Sequence, residues 1–339
     1  MSKLVLITGA NGFVGRHLMA RLLADGHQVR ALDKTFKAVP EDGAERIETD
    51  ILDKTVVKAA MQGVDTVFHL AAITALWMPH DDIYQTVNVE GTNVVLEAAI
   101  EANVQRFVHC SSFVTTIAGP RTPRTITEND MPHHDALLGA YARSKSRAQQ
   151  IVLDANYRIE TVIVMPSAPL GPGDFNMTAP TCFIRDLANG KIPATIDQLI
   201  NFIDVQLLAD AIAIAGGEAE SGELYLLSGK NRDMRDFLKL MEEITGLSMP
   251  KARVPYALAA SASFMEEKII SALTKKPPKA PYAGVRMAGR KFEFDCSKAM
   301  NYLDINLYPI EEALTESLLW LKKEGHLTRA LPALDNLQE

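Results

Sequence analysis

The sequence predicts an α/β protein: a Rossmann-type doubly wound parallel sheet with helices on both faces, joined to a smaller C-terminal lobe. Three observations lead there. Short apolar runs alternate with helix-period segments through the first half of the chain. Three glycines at a spacing of three sit just after the first apolar run, in "LVLITGANGFVGRHL" (residues 4–18). Beyond Pro166 the texture changes to breaker-rich stretches such as "PSAPLGPGD" and "KKPPKAPYAG". The expected division is residues 1–170 for the sheet domain and 171–339 mainly for the lobe, with part of 201–230 returning to the first domain.

The elements follow in order. "LVLI" reads as a buried strand, followed by a helix from about Phe13. "QVRAL" (28–32) and "RIETD" (46–50) are the next strands, and a helix begins after Asp53. "DTVFHL" (65–70) leads to a long helix from about Asp82 to Ala102. "RFVHC" (106–110), a helix around Tyr141 and "TVIVM" (161–165) complete the alternation. Strand and helix alternating in this way imply parallel strands with right-handed crossovers. Ligands of such sheets bind beyond the carboxyl ends of the strands. "GELYLLSG" (222–229) and "KFEFD" (291–295) are the expected strands of the lobe, and the tail after about Thr328 is expected to be loosely ordered.

Composition excludes several classes. The 339 residues are 47% apolar with a formal net charge of −7, which disfavours a nucleic-acid partner. Cys110, Cys182 and Cys296 lie far apart without metal-ligand spacing, so no metal site is expected and the thiols suit a reducing cytoplasm. The chain runs straight into its first strand, leaving no room for a signal peptide, and no stretch is long and apolar enough to span a membrane.

The glycine junction has the physics of an anion site. Gly9, Gly12 and Gly15 let backbone N–H groups and a helix N-terminus approach a pyrophosphate, with Asn11, Phe13 and Val14 in the same turn. Asp33 ends the second strand, eighteen positions after Gly15; a carboxylate there accepts hydrogen bonds from an adenosine ribose and repels a 2′-phosphate. NAD is therefore expected, although Lys34 beside it would let NADP be tolerated. Asp50 and Ile51 suit an adenine edge and face, or equally the N-cap region of the next helix. Leu70, Ala71 and Ala72 leave room for a flat ligand after the fourth strand.

Tyr141 and Lys145 stand at i and i+4, on one helix face. An ammonium and a cationic nicotinamide nearby would favour the phenolate and make Tyr141 a proton shuttle. Ser112, after the fifth strand, would hydrogen-bond a reacting oxygen. Taken alone, a Tyr and a Lys at this spacing are usually just a solvated helix face.

The motifs "TGANGFVG", "DILD", "HLAA", "NVEGT", "SS" and "YARSK" occur in the order and spacing of the extended short-chain dehydrogenase/reductase family, and the resemblance covers nearly the whole chain. "LWMPHDDIYQTVNVEGTNVVLEAA", "PSAPLGPGD", "LANGKIPA" and "FEFDCSKA" resemble its dihydroflavonol-reductase-like branch, which includes hopanoid-associated epimerase homologues and 3β-hydroxysteroid dehydrogenases. The resemblance implies that Tyr141 is the general acid/base, Lys145 its ribose-binding partner, and Ser112 (rather than its neighbour Ser111) the substrate-orienting serine. It also implies that Asn88 is the asparagine of the long helix, that Pro166 and Ala168 lie near the nicotinamide, and that the protein is a homodimer.

The implied chemistry is hydride transfer between nicotinamide and a carbon bearing oxygen. A nucleotide-sugar epimerase or dehydratase is one alternative. Sugar-nucleotide members resemble "R-P-x-N-x-Y-G-P" where this chain has "MPSAPLGP", with Met165, Ala168 and Leu170 at the polar positions. Ile200 and Asp204 likewise stand where relatives carry arginine and histidine. A second pyrophosphate would find few donors, so an apolar alcohol or ketone, steroid- or terpenoid-like, fits better. Ile73, Trp77, Met78, Phe113 and Ser167 are the candidate substrate contacts, with packing between lobes an equal reading for Trp77. A non-catalytic NAD(P)-sensing protein is the second alternative; a sensor would have no need of the tyrosine.

One stripe remains. Leu258, Ala262, Met265, Ile269 and Leu273 repeat at helical spacing, ahead of Lys275, Lys276 and Lys279. Residues 256–279 could rest on the inner membrane from the cytoplasmic side. The ordinary expectation is a helix packed on the lobe's own core.

Overall fold

The computed structural model describes residues 2–36, 42–119 and 121–335. The first half alternates as expected: β1 (Leu4–Thr8), α1 (Phe13–Ala24), β2 (Gln28–Asp33), β3 (Glu45–Glu48), α2 (Lys54–Ala60) and β4 (Thr66–His69). Helix α3 follows, with α-helical parts Asp82–Tyr84 and Gly91–Glu101 flanking a π-helical turn, Gln85–Glu90. Then come β5 (Arg106–Cys110), the short β6 (Arg124–Ile126), α4 (Gly139–Asp154) and β7 (Glu160–Pro166). The remaining elements used below are β8 (Ala168–Leu170), α5 (Ala179–Ala188), β9 (Phe202–Asp204), α6 (Val205–Gly217), β10 (Leu224–Leu227), α7 (Met234–Thr245), α8 (Tyr256–Met265), α9 (Tyr282–Ala288), β11 (Phe292–Phe294) and α10 (Glu311–Lys323).

Seven strands form one parallel sheet in the order β10-β7-β5-β4-β1-β2-β3. Alternate residues of each strand feed opposite faces. Val5 and Ile7 of β1 pack with Leu18 and Leu22 of α1 and with Leu208 and Ile212 of α6. Leu6 packs on the other side with Val57, Val95 and Val152 of α2, α3 and α4. Burial on both faces explains why these strands are continuously apolar. Helix α2 starts where the Asp53 carboxylate caps the N–H groups of Thr55 and Val56, a contribution of about 1 kcal/mol.

The second half corrects the sequence reading in three places. "LYLL" of 222–229 is not a lobe strand but lies in the part of 201–230 expected to return to the first domain: β10 pairs in parallel with β7, Leu224 opposite Ile163, at the edge of the central sheet. The chain reaches that edge through α6, packed against α1. "FEF" is outside the central sheet, pairing in parallel with β6. The tail is packed through its described part: Leu331 and Leu334 are buried with Phe237, Met241, Leu318 and Leu321 in the lobe's core, while 336–339 lie outside the described residues. Finally, the apolar stripe of 258–273 does not pack on that core; its large side chains are exposed. Among the described residues no helix is long and apolar enough to cross a membrane.

Candidate active site

The order of the sheet places the topological switch point between β1 and β4, whose chain continuations run to opposite sides. The glycine loop sits there. Gly9 has φ +72°, and a Cβ on it would lie 2.7 Å from the Ala71 nitrogen of the loop after β4. A Cβ on Gly15 would lie 2.2 Å from the Gly9 carbonyl oxygen. The two loops can meet only without side chains at those positions. Gly12 is the N-cap of α1 and supplies no side-chain acceptor, so the N–H groups of the first turn face outward unpaired by a cap. A cradle open only to glycine, under an uncapped helix N-terminus, fits a dinucleotide pyrophosphate.

Asp33 is partly engaged already. Its Oδ2 accepts from the Asn11 N–H at 2.8 Å and its Oδ1 from the Lys34 N–H at 2.7 Å, which ties the glycine loop to the end of β2. The Asn11 side chain donates to the Thr35 carbonyl and accepts from Arg16. Lys34 Nζ pairs with Asp50 Oδ2 at 2.8 Å, so the cation that would welcome a 2′-phosphate has a partner. Asp50 is not the helix cap; Asp53 is, while Asp50 accepts from the Leu52 N–H. Ile51 is 4% exposed and packs into the core, its tip at the site where a Cβ on Gly91 would stand.

Leu70, Ala71 and Ala72 follow β4 and are half-buried. Beneath them runs a chain invisible to motif reading. His69 Nδ1 lies 2.7 Å from Thr8 Oγ1 and Nε2 lies 2.9 Å from Thr92 Oγ1, whose own proton goes to the Asn88 carbonyl. That pattern assigns the imidazole proton to Nε2. Burial pushes the His69 pKa down to about 3. Asn88 itself faces the protein: Oδ1 accepts from the Ile73 N–H at 2.7 Å, and Nδ2 donates to the Ile73 carbonyl and to Ser144 Oγ. It is a positioning residue, clamping the loop after β4 onto α4. The π-helical turn that presents it was not legible in the sequence; such turns often mark functional sites.

Ser112, Tyr141 and Lys145 come together at the ends of β5 and α4. The Tyr141 hydroxyl interacts with the Ser112 side chain, and Lys145 Nζ donates to the Cys110 carbonyl at 2.7 Å. Ser111 is separated from this group by its own bond, 2.6 Å, to Gln149 Oε1. Burial dominates the electrostatics of both groups. Burial pushes the Tyr141 pKa up to about 12, with the Ser112 side chain pulling weakly the other way. The same burial pushes Lys145 down to about 8. Desolvation is the largest cause for both groups, so the protein alone holds the phenol neutral.

Apolar side chains surround the phenol. Tyr141 packs in a small core with Tyr84, Val114 and Leu137, against which Ile73, Leu76, Met78, Phe113 and Met287 also rest. Ile73, Met78 and Phe113 are thus beside Tyr141 as expected, whereas Trp77 is half-buried in the same loop but outside that cluster. Leu76 and Met287 were missed, the latter because it comes from α9, nearly 150 positions along the chain. Pro166 closes β7 against Leu227. Ser167 is buried and its hydroxyl has no partner, leaving a donor at the strand end. Ala168 instead begins β8 opposite Phe202 and rests on the lobe core.

Comparison with known proteins agrees with this geometry. Residues 5–227 match the profile of the NAD dependent epimerase/dehydratase family, and the chain belongs to that family. It is similar to a Synechocystis sp. protein bearing the name dihydroflavonol 4-reductase, at 31% identity over 96% of this chain and 97% of that one. It is also similar to sterol demethylase protein B of Methylococcus capsulatus, at 26% identity over 94% and 98% of the two chains. The crystal structure of gox2253 superposes with a TM-score of 0.83 at 29% identity, covering 96% of this chain and 100% of that one. The protein is an oxidoreductase of this NAD-dependent family.

Proposed function

We propose that the chain is a dehydrogenase or ketoreductase acting on the secondary alcohol or ketone of an apolar, steroid- or terpenoid-like substrate. The observation that carries this reading is the apolar wall around the Tyr141–Ser112 pair. NAD, when bound, supplies or takes up the hydride. Tyr141 Oη holds the proton that the substrate oxygen gains on reduction and receives it on oxidation; a buried neutral phenol is suited to the donor role. Ser112 fixes the same oxygen by a hydrogen bond. Lys145, anchored on the Cys110 carbonyl, keeps the helix face bearing Tyr141 against the end of β5.

The positions where sugar-nucleotide relatives carry polar groups support an apolar substrate. Met165, Leu170 and Ile200 are sunk in apolar cores, and Asp204 caps α6 by accepting from the Gln206 N–H at 2.7 Å. None of these side chains offers a donor to a second diphosphate, a group costly to leave unpaired. The test is a panel of hydroxysteroids, terpenoid alcohols, hydrophobic ketones and UDP-sugars with NAD and NADP, read by absorbance of the reduced ring. Turnover of the apolar compounds is expected. Turnover of UDP-sugars alone, or micromolar UDP-sugar binding, overturns the reading.

A further inference from the structure

We propose that the outward face of residues 256–279 docks on the surface of an anionic lipid bilayer. The helical segment that begins as α8 continues through a π-helical Glu266–Ser271 to Thr274. Its polarity is inverted relative to an ordinary surface helix. The serines Ser263 and Ser271 are turned inward, at 4% and 1% exposure. Leu258, Met265, Ile269, Ile270 and Leu273 are turned outward, at 52% to 81%. Five large exposed apolar side chains on one helical segment exceed the scattered exposure normal for a folded surface, and mark an interaction face.

Charge selects the partner. Lys268, Lys275, Lys276 and Lys279 border the face; all four are exposed and their ammonium groups form no ion pair among the described residues. The only acids in the segment, Glu266 and Glu267, are used inward, accepting from the Lys279 and Tyr282 N–H groups. A second copy docking face to face through a two-fold axis would bring the same four unpaired lysines together. An anionic bilayer takes the apolar row into its interface and the ammonium groups at its headgroups. The whole chain carries a net charge of −7 although this segment is net positive, so the rest of the protein is repelled by the same surface, which sets the orientation.

The face lies one helix from the candidate active site. Ser263 Oγ bonds the Ala280 carbonyl and the Phe264 ring meets Tyr282 edge-on at 5.3 Å, so the segment rests on α9. Helix α9 in turn sends Met287 to the cluster around Tyr141, and a Cβ on Gly139 would lie 2.9 Å from Ala283 Cβ. Docking would hold the cover of the site toward the lipid, where an apolar substrate resides; this last step alone rests on the proposed function.

The experiment is co-sedimentation of the full chain with vesicles of phosphatidylcholine, with and without phosphatidylglycerol, in the absence of substrate. Binding to the phosphatidylglycerol vesicles that weakens with salt is expected. Lys275→Glu, Lys276→Glu and Lys279→Glu together should lower partitioning on the order of a hundredfold, since each lysine at such a surface contributes about fivefold. Ile269→Ser with Leu273→Ser should lose binding while keeping NAD affinity. The proposal is overturned by absence of binding at low salt, or by binding that survives both sets of substitutions. A concentration-dependent dimer split by the same substitutions, with no lipid binding, also overturns it and assigns the face to a second copy. Because docking is read without turnover, its failure leaves the hydride-transfer reading standing, and an inactive enzyme that still docks would leave this one standing.

Discussion

Lys145 Nζ reaches across from α4 to the carbonyl oxygen of Cys110, 2.7 Å away, at the end of β5. An ammonium held there is almost without water, and burial lowers its pKa from 10.5 to about 8. A lysine whose folded pKa lies below its unfolded one costs stability while both states are protonated. That cost is relieved as pH rises from about 8 to 10.5, where the unfolded chain still binds the proton and the folded one does not. Relative to Lys145→Met, the native protein should therefore gain up to about 3 kcal/mol between pH 7 and 10.5. Denaturant unfolding of both proteins at the two pH values measures it; parallel curves would contradict the assignment.

Tyr141→Phe removes the phenolic oxygen, the proposed proton carrier, and little else, since the ring packs among Tyr84, Val114 and Leu137. Turnover should fall by about 10²- to 10⁴-fold, the usual worth of general acid–base catalysis. NAD affinity should stay within about twofold, because a lone ring hydroxyl contributes little to ground-state binding. Stopped-flow turnover beside calorimetric titration separates an enzyme from a cofactor sensor: a sensor keeps its output in the variant.

His109 is fully buried with neither ring nitrogen hydrogen-bonded, stacked 5.5 Å from His69. Burial holds both imidazoles well below their ordinary pKa. Below about pH 6.5 the unfolded chain takes up protons that the folded one refuses, so stability must fall as pH falls. His109→Leu should flatten that acid slope by about one proton, some ~1.4 kcal/mol per pH unit. It should also raise stability at pH 7.5 by about 1 kcal/mol, by removing a polar group with no partner. Thermal unfolding at pH 7.5 and pH 5 reads both effects, and an unchanged slope would count against them.

Asp33, at the end of β2, bonds the Asn11 N–H of the glycine loop. Asp33→Ala should weaken NAD by about tenfold or more, the scale of a lost hydrogen bond to a charged group, and lower the preference for NAD over NADP. Lys34 remains paired to Asp50 in that variant. Adding Asp50→Ala frees the ammonium and should raise NADP affinity further. Calorimetric titration of both cofactors checks the order; equal NADP binding in single and double variants would show that Lys34 does not reach the phosphate.

Much of the fold was legible because its signals are local. A strand buried on both faces must be apolar throughout, as "LVLI" and "TVIVM" are, and a backbone contact as close as Gly15 to Gly9 admits no side chain. The Ser112, Tyr141 and Lys145 set was legible for the same reason: spacing on one helix, and position after one strand. Their protonation was not, because desolvation depends on everything that surrounds a group. Among the protein's own groups, burial is the largest influence on Tyr141.

What the sequence determined alone is the alternation, the glycine cradle and the pairing of Tyr141 with Lys145 on one helix face, since each follows from a residue and its near neighbours. What only the tertiary structure decided is which distant segments meet. An apolar run announces a strand but not its sheet, so "LYLL" took its place beside β7 through the packing of α6 on α1. A helical stripe announces an amphipathic helix but not which side faces water, and the segment at 258–273 turned its apolar side outward. Those choices belong to contacts far apart in the chain, whose free energies no local pattern records.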